Sequence, residues 1–311
     1  MSDLRRVICL ATALALAACL AGCSQGDSQV QAQARGPILS FIGAWGAKGE
    51  GPGQLDQPTC ITTDSLGNIY LADAGSHFVS KFSAEGGPLL SFQDDGLKQP
   101  QSITVDSGGA IYVTDAGRGA AVVYFPNGDR LQQLHLRTHP NREDALSIAV
   151  SDDGTIHILD SDTGQVFAYT PRFRMVRMWR PAANAPGGNA RAKSIRIGPN
   201  GDLFAADPVG NRILRFTQDG RFLAEFDGDE SQGRKLSEEI AISRGHIFVM
   251  DVNGRMLHAW SIDGHFEADI DLAPELGQAK RNAPALAASP QRELLVLDAP
   301  EVRVLRYRIN Y

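Results

Sequence analysis

Three sets of side chains in this sequence could carry chemistry. The first is a series of carboxylates, Asp73, Asp115, Asp160, Asp207, Asp251 and Asp298, each closing a short apolar run. Carboxylates can gather a divalent cation, or they can accept the amide hydrogens of a following turn. One carboxylate per repeat fits the second, structural role, because a metal needs several ligands at one point. The second set is the histidines: His77, His135, His139, His157, His246, His258 and His265. A catalytic zinc site wants three ligands converging, and these seven fall in strands, loops and turns of different kinds. The third set is Lys193, Arg196, Glu238 and Glu239, where opposite charges stand at matched places in consecutive units. They could hold an anionic group, or neutralise one another as an ion-paired plug.

Positioning such groups falls to a repeated unit, clearest at Ser194 to Phe226. Four apolar runs there, 195–197, 203–206, 213–216 and 222–226, are separated by Pro199-Asn200-Gly201-Asp202, by Asp207 to Asn211 and by Gln218-Asp219-Gly220. Period-two alternation punctuated by Gly, Asn and Asp predicts a four-stranded antiparallel meander. The second run recurs as IYLAD, IYVTD, IHILD, LFAAD, IFVMD and LLVLD, about 45 residues apart. First runs begin at Ile61, Ile103, Ile148, Ile195, Ile240 and Leu286. Third runs end at Phe82, Phe125, Tyr169, Phe216, Trp260 and Tyr307. Six such units predict an all-β chain folded as a six-bladed β-propeller.

The repeat resembles that of the NHL family, whose blades form six-bladed propellers. Blade four carries the resemblance best, in Ile195, Asn200-Gly201, Asp207, Asn211-Arg212-Ile213, Phe216, Asp219-Gly220 and Phe222-Leu223. Gly51-Pro52-Gly53-Gln54-Leu55 with Pro58 resembles the loop leading into an NHL blade. Blades three, five and six depart from the Asn-Arg signature. The resemblance implies the fold over residues 36–311. It does not carry a function across.

Ring closure is legible at the ends. Gly36 to Phe41 mirrors Gly87 to Phe92, a fourth strand, yet no first three strands precede it, and blade six stops after three. Residues 37–42 are therefore expected to pair with residues 302–308 and complete the last blade, which removes two exposed sheet edges.

The N-terminus reads as an export signal. Arg5 and Arg6 precede the apolar run Val7 to Leu20, which is too short to span a bilayer comfortably. Leu20-Ala21-Gly22-Cys23 resembles the lipobox of bacterial lipoproteins, which implies a signal peptide over 1–22 and lipidation at Cys23. Ser24 at the following place implies the outer membrane, facing the periplasm. Ser24 to Arg35 is polar and reads as a tether of about 20 Å root-mean-square reach. With Cys9 and Cys19 removed and Cys23 lipidated, Cys60 is the sole thiol of the propeller, so no internal disulfide forms. No base stands near it in sequence, and a small buried residue is expected there rather than a nucleophile.

The net charge is −6, and removal of residues 1–22 leaves −7. An acidic domain is a poor partner for nucleic acid. The second residues of the first strands are Thr62, Thr104, Ala149, Arg196, Ala241 and Ala287. Five are small, so Arg196 is expected to reach the central channel. Long fourth-to-first loops share one face with the second-to-third loops, and binding is expected there. The expected role is a monomeric binding or scaffold protein of the bacterial cell envelope, engaging a protein, peptide or glycan and needing no cofactor. Its contact with the membrane would run through the lipid anchor alone. The alternative is a propeller hydrolase or lyase with a metal in the channel.

Overall fold

Alternating apolar residues between Gly, Asn and Asp turns produce 24 strands in the computed structural model, which describes residues 37–135, 146–276 and 285–310. The expected export signal, Cys23 and the expected tether lie outside the described residues. So do residues 136–145, with His139, and 277–284. The strands form six four-stranded antiparallel sheets. Blade one is β2 (Pro58–Thr63), β3 (Ile69–Asp73), β4 (Phe78–Phe82) and β5 (Pro88–Gln93). Blade two is β6 (Pro100–Val105), β7 (Ile111–Asp115), β8 (Ala120–Tyr124) and β9 (Arg130–His135). Blade three is β10 (Leu146–Val150), β11 (Ile156–Asp160), β12 (Gln165–Tyr169) and β13 (Met175–Trp179). Blade four is β14 (Ser194–Ile197), β15 (Leu203–Asp207), β16 (Arg212–Phe216) and β17 (Phe222–Asp227). Blade five is β18 (Leu236–Ile242), β19 (His246–Asp251), β20 (Met256–Ser261) and β21 (Phe266–Asp271). Blade six is β22 (Ala285–Ala288), β23 (Glu293–Asp298), β24 (Arg303–Ile309) and, from the other end of the chain, β1 (Leu39–Trp45).

The inner strands β2, β6, β10, β14, β18 and β22 neighbour one another in a closed ring. Each blade buries both faces, so the second strands are buried at every residue despite their alternation. Six apolar clusters fill the six gaps between consecutive blades. One side chain crosses several of these gaps in the same way. An aromatic residue late in an outer strand lies over the turn glycine of the next blade: Trp45 over Gly86, Phe92 over Gly128, Trp179 over Gly220 and Phe226 over Gly264. A Cβ at Gly220 would sit 2.5 Å from the Trp179 ring, and the backbone there has φ +88°. Glycine is required on both counts. The third-strand aromatic packs beneath, with ring centroids 4.7 Å apart for Trp45–Phe82 and 5.0 Å for Trp179–Phe216. In blade two that partner is Tyr124, 4.9 Å from Phe92, rather than Phe125. The run ends one residue before the expected Phe125. Phe125 starts the turn and is exposed, while the Tyr124 ring is buried and its hydroxyl donates to Asp94.

Closure runs through β1, which pairs with β24 from Leu39↔Ile309 to Trp45↔Val304, with a bulge between Phe41 and Gly43. The strand extends three residues beyond the expected 37–42, because the bulge lets Ala44 and Trp45 rejoin the ladder. Asn310 fastens the start of it, donating to the Ser40 hydroxyl and the Pro37 carbonyl. Deleting residues 37–45 removes this ladder and the Trp45 and Leu39 side chains, and leaves β24, a third strand, as an open edge. We expect the thermal midpoint to fall by more than about 10 °C. Circular dichroism melts of the two chains check it, and an unchanged midpoint would show that the ring does not depend on β1.

Candidate functional site at the channel mouth

Inner strands of six blades meet around a cavity of about 140 Å³. Thr62, Thr104, Ala149, Arg196, Ala241 and Ala287, the second residues of the six inner strands, all line it. Crowding near the axis admits only small side chains at this level, and Arg196 is the exception. It is the one charged residue in the lining, otherwise built of Ile, Val, Leu, Ala and Thr. Its Nη1 donates to its neighbour's carbonyl, Ile195 O, at 2.9 Å and lies 3.5 Å from the Ser147 hydroxyl. Among the described residues no carboxylate lies within ion-pair distance of the guanidinium.

Glu239 stands next to it by way of a second structural theme. The residue just before each inner apolar run is Ser in three blades, and its hydroxyl latches one blade to the next. Ser102 Oγ accepts from Ile148 N at 3.3 Å, and Ser147 Oγ accepts from Ile195 N at 3.1 Å. The Ser194 hydroxyl donates to the Glu238 carbonyl. Blade five places Glu239 in this position, and its carboxylate takes the Leu286 amide of blade six. The side chain is longer than Ser, and the strand accommodates it with an irregular pairing between Leu236 and Ile240. Oε2 is buried without a hydrogen-bond partner among the described residues. Burial pushes the Glu239 carboxyl up to about 7, the Arg196 charge opposes this and Glu238 adds to it.

The remaining members of the predicted set do not join them. Glu238 is exposed and Lys193 half-buried, and of the four predicted residues only Arg196 lines the cavity. Cys60 takes the Ser position in blade one. It is buried, and burial pushes its thiol up to about 12, with Glu239 adding and Arg196 opposing. A thiol so held is not a thiolate at neutral pH.

The six aspartates sit on the long-loop face as loop clips. Asp73 accepts from Gly75 N and Ser76 N of its own turn, and from Asp56 N and Gln57 N of the loop entering the blade. Asp115 does the same with Gly117 N, Lys98 N and Gln99 N. Asp160 accepts from Asp162 N and Thr163 N, and Asp251 from Arg255 N and Met256 N. Asp207 and Asp298 give their second oxygen to Arg212 and Arg303 at 3.1 and 2.9 Å. Among the described residues no histidine lines the channel cavity. His157 is wholly buried in β11, and burial holds its imidazole below the ordinary range. His246 pairs with Glu267 and His258 with Asp269, both on the outer strand β21. Among the described residues no group of three His, Cys, Asp or Glu is placed to hold a metal ion, and no helix is long and apolar enough to cross a membrane.

What the arrangement can do chemically is limited and specific. A guanidinium with donors left unpaired among the described residues faces a small cavity, and a carboxyl that changes charge near neutrality feels its field. It can bind an anionic group, and it can take up or release one proton close by. Sequence reasoning placed Arg196 in the channel from its departure from small residues. It matched Glu239 to Ser194, but the latch and the burial of the carboxyl depend on register between blades.

Comparison with known proteins agrees on the architecture. The NHL repeat profile matches residues 55–82, in blade one rather than in blade four. No curated protein sequence matches the chain. A streptogramin B lyase structure superposes with a TM-score of 0.62 at 14% identity, covering 88% of this chain and 98% of that one. A catalytically inactive virginiamycin B lyase from Staphylococcus aureus, bound to quinupristin, superposes with a TM-score of 0.60 at 16% identity, covering 86% and 85%. The β-propeller domain of Cps50 (Swd1) from Myceliophteria thermophila gives 0.62 at 12% identity, covering 88% and 100%. At these identities the shared property is the fold.

The raised Glu239 carboxyl has a signed consequence. The folded state holds a proton that the unfolded chain, with its ordinary value of 4.5, releases. This contribution to stability is fully present below 4.5 and is lost as the pH rises through about 7. Its span is on the order of 3 kcal/mol. We expect urea unfolding to show stability falling between pH 5 and pH 8, and Glu239→Gln to flatten that fall. A slope unchanged by the substitution would place the titrating group elsewhere.

Proposed function

We propose that this chain is a lipid-anchored binding module of the bacterial envelope, held through Cys23 at the outer membrane and facing the periplasm. It presents the long-loop face of its propeller to a protein, peptide or glycan partner, and takes an anionic group of that partner at the channel through Arg196. The observation that carries this reading is the lone guanidinium in the channel lining. An arginine placed where five blades have Thr or Ala costs packing and desolvation, and its free donors are suited to a carboxylate or phosphate. The loops of the long-loop face are tied down by the buried aspartates, so a partner meets a pre-organised surface there, while the cavity lined by Arg196 lies toward the tight-turn end of the inner strands.

A second reading, a propeller lyase or hydrolase, is favoured by the Glu239 carboxyl, which titrates near neutrality beside Arg196. Its metal-dependent form lacks a ligand set among the described residues.

Isothermal titration of the protein with small dicarboxylates and inorganic phosphate tests the binding reading. We expect saturable binding that Arg196→Ala weakens by about tenfold or more. Capture from solubilised envelope, with Lys193, Arg196 and Glu238 native or charge-reversed, extends the test to a macromolecular partner. Equal binding by native and substituted protein in both assays would overturn the assignment to this site.

A further inference from the structure

The outer rim carries a second surface that the channel does not explain. Residues 172–180 read RFRMVRMWR, four arginines and no acid in a chain of net charge −6. They form the turn into β13, that strand and the residue after it, and β13 is the free edge of blade three. Outer edges elsewhere expose one or two large apolar side chains, such as Leu89 in β5 and Leu223 in β17. In β13, Met175, Val176 and Met178 are exposed at 55%, 51% and 53%. Arg172, Arg174 and Arg177 stand among them, all exposed. Arg177 reaches the Asp219 carbonyl on blade four at 3.3 Å, while Arg172 and Arg174 have no carboxylate within ion-pair distance among the described residues. Arg221, also exposed, extends the basic surface onto the neighbouring turn.

The strand is a firm template. Trp179 is buried in the gap to blade four and fixes its end, and pairing with β12 runs from Val166↔Trp179 to Tyr169↔Met175. An edge strand offers a row of unpaired amides and carbonyls to a further strand. We propose that β13 is a docking edge for an extended acidic peptide that adds as a fifth strand to blade three. Backbone pairing would hold it, apolar side chains would cover Met175, Val176 and Met178, and its carboxylates would meet Arg174 and Arg177. Charge selects this occupant. A second copy of β13 would bring arginines against arginines. An anionic bilayer would satisfy the same charges, but the chain joins the ring through β1 in blade six, three blades away. A bilayer is therefore kept as an outcome of the test, and the acidic peptide is the occupant that also uses the open backbone edge. Charged edge residues also discourage unwanted pairing, and here they coexist with three exposed apolar side chains that such a guard would not need.

The test uses a fluorescent peptide of alternating Glu and Val, with a Lys–Val peptide as control, titrated onto the full chain. We expect saturable binding of the acidic peptide only, weakened at least about tenfold in the double variant Arg174→Glu, Arg177→Glu. Unchanged melting of that variant shows that the fold survives, and Arg196→Ala, which alters the channel, should bind the peptide as the native chain does. Hydrogen exchange should show new protection of the amides of residues 174–178 with peptide bound. No binding, equal binding by the double variant, or protection elsewhere overturns the proposal. So does co-sedimentation with phosphatidylglycerol vesicles that the double variant loses while the peptide fails to bind, which would assign the edge to a lipid surface.

Discussion

Everything on the long-loop face hangs from the carboxylate that ends each second strand. It is buried, and a buried carboxylate is costly unless its charge is met; Asp160 in blade three keeps one oxygen without a hydrogen-bond partner among the described residues. In blades one and two the two oxygens are met by backbone amides from both loops that flank the strand end. In blades four and six an arginine five residues on, Arg212 or Arg303, takes one oxygen. In blade five Asn253 does so. The anchor point is constant and its partners change with the loops. Loops of very different length can therefore attach to strands that do not move.

The channel follows a different rule. Near the axis the inner strands converge, and side-chain volume is the limiting quantity. Thr and Ala satisfy it, with hydroxyl latches from Ser102 and Ser147 holding adjacent blades in register. Arg196 and Glu239 are the two places where the rule is broken, and they are close enough to feel each other's charge. Departures from a repeat are informative because the other blades supply the reference for what the position needs structurally.

Much of this was legible in the sequence. The Asp series, the turn residues and the unmatched fourth strand at residues 36–41 are local signals, so the propeller and its closure could be read from them, and the closing ladder is where expected apart from its bulge. Arg196 was legible because a large charged residue stood in a column of small ones. The rest depends on contacts between blades. The Trp179–Gly220 contact joins residues in different blades, and the Asp-Gly turn in sequence signals only the turn. Tyr124 and Phe125 are adjacent and both aromatic, and which one faces the core depends on the strand's last hydrogen-bonded residue. Glu239 belonged to the charged set expected at the channel mouth, but the burial of its carboxyl arises from the neighbouring blade. The basic rim was not legible because alternation alone does not say that β13 is an exposed edge.

The closing ladder also sets an order of events. Asn310 and Ser40 meet across 270 residues of chain. The first strand of the ring is thus the last to find its partner, because β24 completes only when the C-terminus is available. Blades one to five can each form from local hairpins, which are fast, whereas closure waits on the longest loop in the molecule. Until then β1 and β24 present open edges, the state in which a propeller is most exposed to pairing with the wrong chain. For this fold the slow and hazardous step of folding is the joining of its ends.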